Sequence, residues 1–197
     1  ANDFQLSLGK ILNSSSSAND IYSDGLTTYI AGVQNDKPYL FIISNLYNEI
    51  ELNINNGSAK AITVFNDKVY ITGTVGNSLY LWIYNREGTL VSANQITNST
   101  GHTPNAIAIK DDNIYIVGNV GNSAIYGYFF NNNGAITTSS AGYLPEGESA
   151  DGVTIIGNKA YIVGREKKNG YDSKYALLWT VEGSGTPNTY KLWSNQD

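Results

Sequence analysis

The amino-acid sequence predicts an all-β fold made of four copies of one four-stranded antiparallel unit, and three observations predict it. The phrase x-Tyr-Ile-x-Gly occurs four times, as TYIAG (28–32), VYITG (69–73), IYIVG (114–118) and AYIVG (160–164). Its tyrosines, Tyr29, Tyr70, Tyr115 and Tyr161, follow one another at 41, 45 and 46 residues. Between them, strand-length runs of β-branched and aromatic residues alternate with turn-forming pairs.

Each copy resolves into four elements. The first strand lies upstream of the phrase, in SANDIYSDG from Ser17, SAKAITVFNDK from Ser58, TPNAIAIKDDN from Thr103 and SADGVTIIGNK from Ser149. The phrase itself is the second strand. An aromatic run is the third, beginning at Tyr39, Tyr80, Tyr126 and Tyr175, and a weaker segment is the fourth: EIELNI, TLVSANQI, AITTSSAGYL and NTYKLW. Asn66-Asp67, Asp111-Asp112 and Gly157-Asn158 supply residues that tolerate positive φ between strands one and two, as two-residue hairpins require. Asp24-Gly25 serves the first copy one place out of step, and Gly76-Asn77 and Gly121-Asn122 turn strand two into strand three.

The third-strand runs, such as YLWIY, do not alternate in polarity, so both faces of those sheets are expected to be buried. Four-stranded sheets covered on both faces and repeated every ~40–45 residues are propeller blades. The phrases SAKAITVFNDKVYITGTVGNS and TPNAIAIKDDNIYIVGNVGNS resemble the bacterial β-propeller repeats of the SBBP type. That resemblance covers most of the chain and implies a propeller of secreted or surface proteins. It implies fold far more than function.

The whole chain, 1–197, therefore reads as one β-propeller domain with repeats at about 17–56, 58–98, 103–144 and 149–193. One inner-strand column holds Asp20, Ala61, Ala106 and Gly152, small for the most part, which favours a tight, closed four-bladed ring. Residues 4–12, FQLSLGKIL, read as a further strand that closes the ring or is surplus to it. The rival is an open arc that pairs with a second chain, so the chain is expected as a monomer or a homodimer.

Composition narrows the function. A net charge of -5, with only Arg165, Lys167 and Lys168 clustered among the basic residues, argues against nucleic acid. No apolar run approaches the ~18 residues of a membrane helix. The absence of cysteine and methionine, the low charge content and the start ANDFQL point to a processed or recombinant start and to a secreted, periplasmic or cell-surface setting.

Function is sought on the loop-rich face, where outer strands lead to the next inner strand. Asn19, Lys60, Asn105 and Asp151, as first residues of the inner strands, are expected to ring the mouth of a central channel, with Asp20 behind them. Two amides and the carboxylates Asp20 and Asp151 offer oxygens suited to calcium, but the Lys60 ammonium opposes a cation there. No cofactor is expected. His102 is the only histidine, and without cysteine or a second histidine it supports neither a tight transition-metal site nor a Cys-His pair. It is expected to be a loop residue facing a ligand. Tyr171, in the enlarged loop REKKNGYDSK, could form a lip for a partner. Glu146 and Glu148 could pair with Asp151 or Asp20 as acid and base for cleavage of a sugar. Trp82 and Trp179 are expected to pack between blades. Asn13, Asn56 and Asn98 begin N-x-Ser/Thr sequons in connecting loops. The expected function is non-catalytic binding of a glycan or protein, with an assembly role or a glycan-active enzyme as alternatives.

Overall fold

A computed structural model describes residues 15–45, 47–52, 56–96, 99–132, 135–166 and 175–192. Residues 4–12, the sequons at Asn13 and Asn98, Lys167, Lys168, Tyr171 and Trp193 lie outside that set. Among the described residues the strands form four antiparallel meanders. Blade 1 comprises β1 (Ser16–Ser23), β2 (Thr28–Gln34), β3 (Lys37–Ile43) and β4 (Tyr47–Glu51). Blade 2 has β5 (Gly57–Phe65), β6 (Lys68–Val75), β7 (Ser78–Asn85) and β8 (Leu90–Gln95). Blade 3 has β9 (His102–Lys110), β10 (Asn113–Val120), β11 (Ser123–Asn132) and β12 (Ala135–Tyr143). Blade 4 has β13 (Gly147–Ile156), β14 (Lys159–Glu166), β15 (Ala176–Glu182) and β16 (Asn188–Lys191).

Two-residue turns with positive φ at Asn66 and Asp67, and at Asp111 and Asp112, join strands one and two of blades 2 and 3 as the sequence predicts. Blade 1 departs from this. There Ser23 pairs with Thr28, leaving a four-residue turn in which the Asp24 carboxylate accepts the Leu26 and Thr27 amides at 3.0 and 2.9 Å.

Cross-strand partners share a face, so each blade has a front and a back, and in the row the back of one blade meets the front of the next. Three apolar cores result. Tyr29, Ala31, Leu40 and Ile42 of blade 1 pack on Val69, Ile71, Trp82 and Tyr84 of blade 2. The backs of blades 2 and 3 meet the fronts of blades 3 and 4 in the same manner, with Trp179 in the last core. Trp82 and Trp179 thus pack between blades, as expected. The repeated tyrosine is the clasp of each core: Tyr29, Tyr70 and Tyr115 are each 1% exposed. Each hydroxyl reaches the end of strand three in the next blade. Tyr29 lies beside the Arg86 guanidinium, Tyr70 accepts the Asn131 amide at 2.9 Å, and Tyr115 donates to the Gly183 carbonyl at 3.2 Å.

The glycine of the phrase has a separate cause. All four inner strands carry a β-bulge at the same place, with Asn19, Lys60, Asn105 and Asp151 as the extra residues. The bulge pushes a carbonyl against the second strand. A Cβ at Gly32, Gly73, Gly118 or Gly164 would lie less than 3.0 Å from the carbonyl oxygen of Ser17, Ser58, Thr103 or Ser149 respectively.

Among the described residues there is no fourth core joining blade 4 to blade 1. Ile21 is 62% exposed, whereas its equivalents Ile62 and Ile107 are 5% and 8% exposed. The small column argues differently from what the sequence implied. Ala61 lies in the core between blades 2 and 3, and Asp20 accepts the Ile62 amide of blade 2 at 2.9 Å. These side chains are small or hydrogen-bonded because a neighbouring inner strand passes close by, and their size sets no limit on the number of blades.

Gly118→Ala should lower stability by about 1–3 kcal/mol, since backbone must move, whereas Gly142→Ala, whose methyl meets Tyr126 at 3.6 Å, should stay within about 0.5 kcal/mol. Denaturant unfolding of the two variants checks the pair. A second expectation concerns alkali. Burial lifts the hydroxyls of Tyr84 and Tyr115 to about 12 from an ordinary 10.0. The stability they confer is full below 10.0 and is lost as pH rises through about 12. Melting curves across that range should fall less steeply for Tyr84→Phe than for the parent.

Candidate functional site

The bulge residues are not the first residues of the inner strands, which begin three or four places earlier. Two of them tie blades together. The Asn19 amide donates to the Ala59 carbonyl at 2.7 Å and to the Ser58 hydroxyl at 3.1 Å. One blade pair further on, Asn105 donates to the Ala150 carbonyl at 3.0 Å and the Ser149 hydroxyl at 3.1 Å. A bulge re-aims one side chain out of the pleat, here sideways onto the next blade. Asp151 in blade 4 cannot donate. Its carboxylate accepts the Ser149 hydroxyl at 2.6 Å and pairs with Arg165 at 3.1 Å.

These partners separate the oxygens proposed for calcium. Asp20 is held between blades 1 and 2, and Asp151 is held by Arg165 on blade 4. Among the described residues no three His, Asp or Glu side chains gather where they could hold a metal ion. Glu146 is likewise engaged: Lys191 lies 3.1 Å from it and 2.7 Å from Glu166.

A different feature emerges on blade 3. On the front of each of the other blades an aromatic ring sits opposite the phrase isoleucine: Phe41 opposite Ile30, Trp82 opposite Ile71 and Trp179 opposite Ile162. Opposite Ile116 stands Gly127. The Phe129 ring turns back over this glycine, within 3.0 Å of where a Cβ would be. A cleft of about 490 Å³ remains between blades 2 and 3, walled by Leu79, Pro104, Ile125, Phe129, Tyr143 and His102 among others.

The β8–β9 connection fixes the rim. The Ser99 hydroxyl accepts the Leu79 amide at 3.0 Å and donates to the Ile96 carbonyl at 2.5 Å, and the Gly101 amide donates to the Asn77 carbonyl at 2.7 Å. That knot sets His102 as the first residue of β9, half-buried in the cleft wall. Burial pushes its imidazole below the ordinary 6.5, so the ring is neutral at neutral pH. None of the described residues in the wall is a carboxylate. Such a site can bury an apolar or aromatic group and offer it one imidazole.

Among the described residues, His102 is the expected residue that lines this cleft. Gly127, Phe129 and Tyr143 went unread in the sequence, although YGYFF carries a signal. Aligning the third strands at their first tyrosines hides it. By strand pairing Tyr39 and Tyr80 lie opposite Gly32 and Gly73, but Tyr126 lies opposite Val117, and Tyr175 precedes β15.

No family model matches the sequence, and no curated protein is similar to it in sequence. Solved structures of propeller proteins are similar in fold. An α-L-arabinofuranosidase from Clostridium thermocellum is 11% identical with a TM-score of 0.55, over 88% of this chain and 71% of that one. A catalytically inactive virginiamycin B lyase from Staphylococcus aureus, with quinupristin, is 15% identical with a TM-score of 0.60, over 93% of this chain and 73% of that one. The β-propeller domain of the Trilobed protease from Pyrococcus furiosus, which has an open velcro topology, is 13% identical with a TM-score of 0.56, over 92% of this chain and 58% of that one. This chain is an all-β protein of the β-propeller architecture.

Removing the interblade amide should tell the structural role of the bulge ring from a ligand role. Asn105→Ala leaves the Ala150 carbonyl without this donor and should cost about 1 kcal/mol, while Lys60→Ala should stay within about 0.5 kcal/mol. Thermal unfolding of both variants measures the difference.

Proposed function

We propose that this chain is a secreted or surface-exposed, non-catalytic β-propeller that binds a glycan or protein partner on its loop-rich face, with the His102 cleft as the seat. The observation that carries this reading is the missing ring at Gly127, which opens an apolar hollow where the other blades are filled. Tyr143, 67% exposed at the cleft, offers a face on which a sugar ring or an apolar side chain can stack. The SBBP-type phrases favour the same setting. Sugar cleavage by paired carboxylates has less support, because none of the described residues walling the cleft is a carboxylate and Glu146 is held by Lys191.

A glycan array and a pull-down from culture supernatant, followed by titration of the ligand found, test the reading. Tyr143→Ala should weaken binding roughly tenfold and His102→Ala should also weaken it, with folding unchanged. For a ligand that meets the neutral imidazole, affinity should hold as pH falls to 6.5 and drop only below it. Glycan hydrolysis abolished by Glu146→Gln or Glu148→Gln would overturn the proposal.

A further inference from the structure

Among the described residues, blade 4 ends in a back, and blade 1 begins with a front, that no other blade covers. On blade 4 the strand register puts Ile156, Tyr161, Val163 and Tyr190 on one face, and three of them are strongly exposed: Ile156 at 64%, Val163 at 45% and Tyr190 at 51%. Tyr161 is only half-buried although it is the same phrase tyrosine that is covered in the three preceding blades. On blade 1 the register puts Ile21, Ile30, Phe41 and Tyr47 on the front, at or beside the positions that the preceding blade covers in blade 2 as Ile62, Ile71 and Trp82. Ile21 is 62% and Tyr47 39% exposed, while the Phe41 ring, stacked on Tyr39 and Tyr47, is itself buried.

We propose that these two faces dock on one another between two copies of this chain, back of blade 4 onto front of blade 1, so that two arcs close one eight-bladed ring. Each of the three internal cores joins one back to one front, and the described chain has one of each left over. A face four strands wide needs a sheet to cover it. Charge does not oppose the contact: Arg165 is met by Asp151 and Lys37 by Glu51 within their own blades. In this pairing the Tyr161 hydroxyl falls at the end of β3 of the second copy, the place at which Tyr70 and Tyr115 meet Asn131 and Gly183. Two copies stop at eight blades, at the top of the usual range of ~4–8, and a third would exceed it. Each contact is heterologous, and it occurs twice about the twofold axis.

Light scattering after size exclusion, on the 197-residue chain, reads the state directly. The expected result is a dimer. Val163→Asp and Ile21→Asp should each raise the dimer dissociation constant roughly 100-fold or more while far-UV circular dichroism and melting remain those of a folded chain. Mixing the two variants restores one intact contact, Val163 of one chain against Ile21 of the other, so a heterodimer should return. A monomer of the parent chain, a trimer or filament, a dimer indifferent to either substitution, or no heterodimer on mixing would each overturn the proposal. Should Val163→Asp fail to fold, Tyr190→Lys, on the same face and half-exposed, carries the same test.

Discussion

The contact on which the rest depends is the one between a bulged inner strand and a glycine of the second strand. A bulge adds a residue without a ladder partner, bends its strand and raises the local twist. That bend brings the carbonyls of Ser17, Ser58, Thr103 and Ser149 onto the neighbouring strand, where any side chain would block them. The extra residue is thereby turned sideways. In blades 1 and 3 it is an asparagine whose amide closes on the next inner strand. A single steric permission at glycine thus fixes both the twist within a blade and the spacing between blades.

Much of this was legible in the sequence because strand order, turns and buried faces are local properties. The phrase x-Tyr-Ile-x-Gly marked every second strand, and positive-φ pairs such as Asn66-Asp67 and Asp111-Asp112 marked the turns between. The bulge was not legible, since an extra residue in a strand leaves no composition signal and shows only when two strands are set in register. Without it, Asn19, Lys60, Asn105 and Asp151 looked like the first residues of strands facing a channel. The cleft was hidden for the same reason: a tyrosine-based alignment put Tyr126 where pairing puts Ile125, and concealed that Gly127 stands in the column of Phe41, Trp82 and Trp179.

The repeated tyrosine explains why the blades stack in one direction. Its ring is buried on the back of its own blade while its hydroxyl is satisfied by the next, so the residue belongs energetically to two sheets. A buried hydroxyl without a partner is costly, and each next blade supplies one at the same place, the end of strand three. The apolar cores give the stacking its strength, and these hydroxyls give it a register.

Blade 3 uses the same interface differently. Replacing an indole by Gly127 removes apolar contact that the fronts of blades 2 and 4 keep, and Phe129 recovers only part of it. A sealed void of this kind would carry the full penalty of lost packing. The hollow is instead bordered by the half-buried His102 and the exposed Tyr143, so it is open to solvent. Water against Leu79, Pro104, Ile125 and Phe129 is poorly hydrogen-bonded, and its release is the driving force available to an apolar or aromatic group that enters. On the proposed binding role, the apolar contact that the other blades use for their own cohesion is what this interface would offer a ligand.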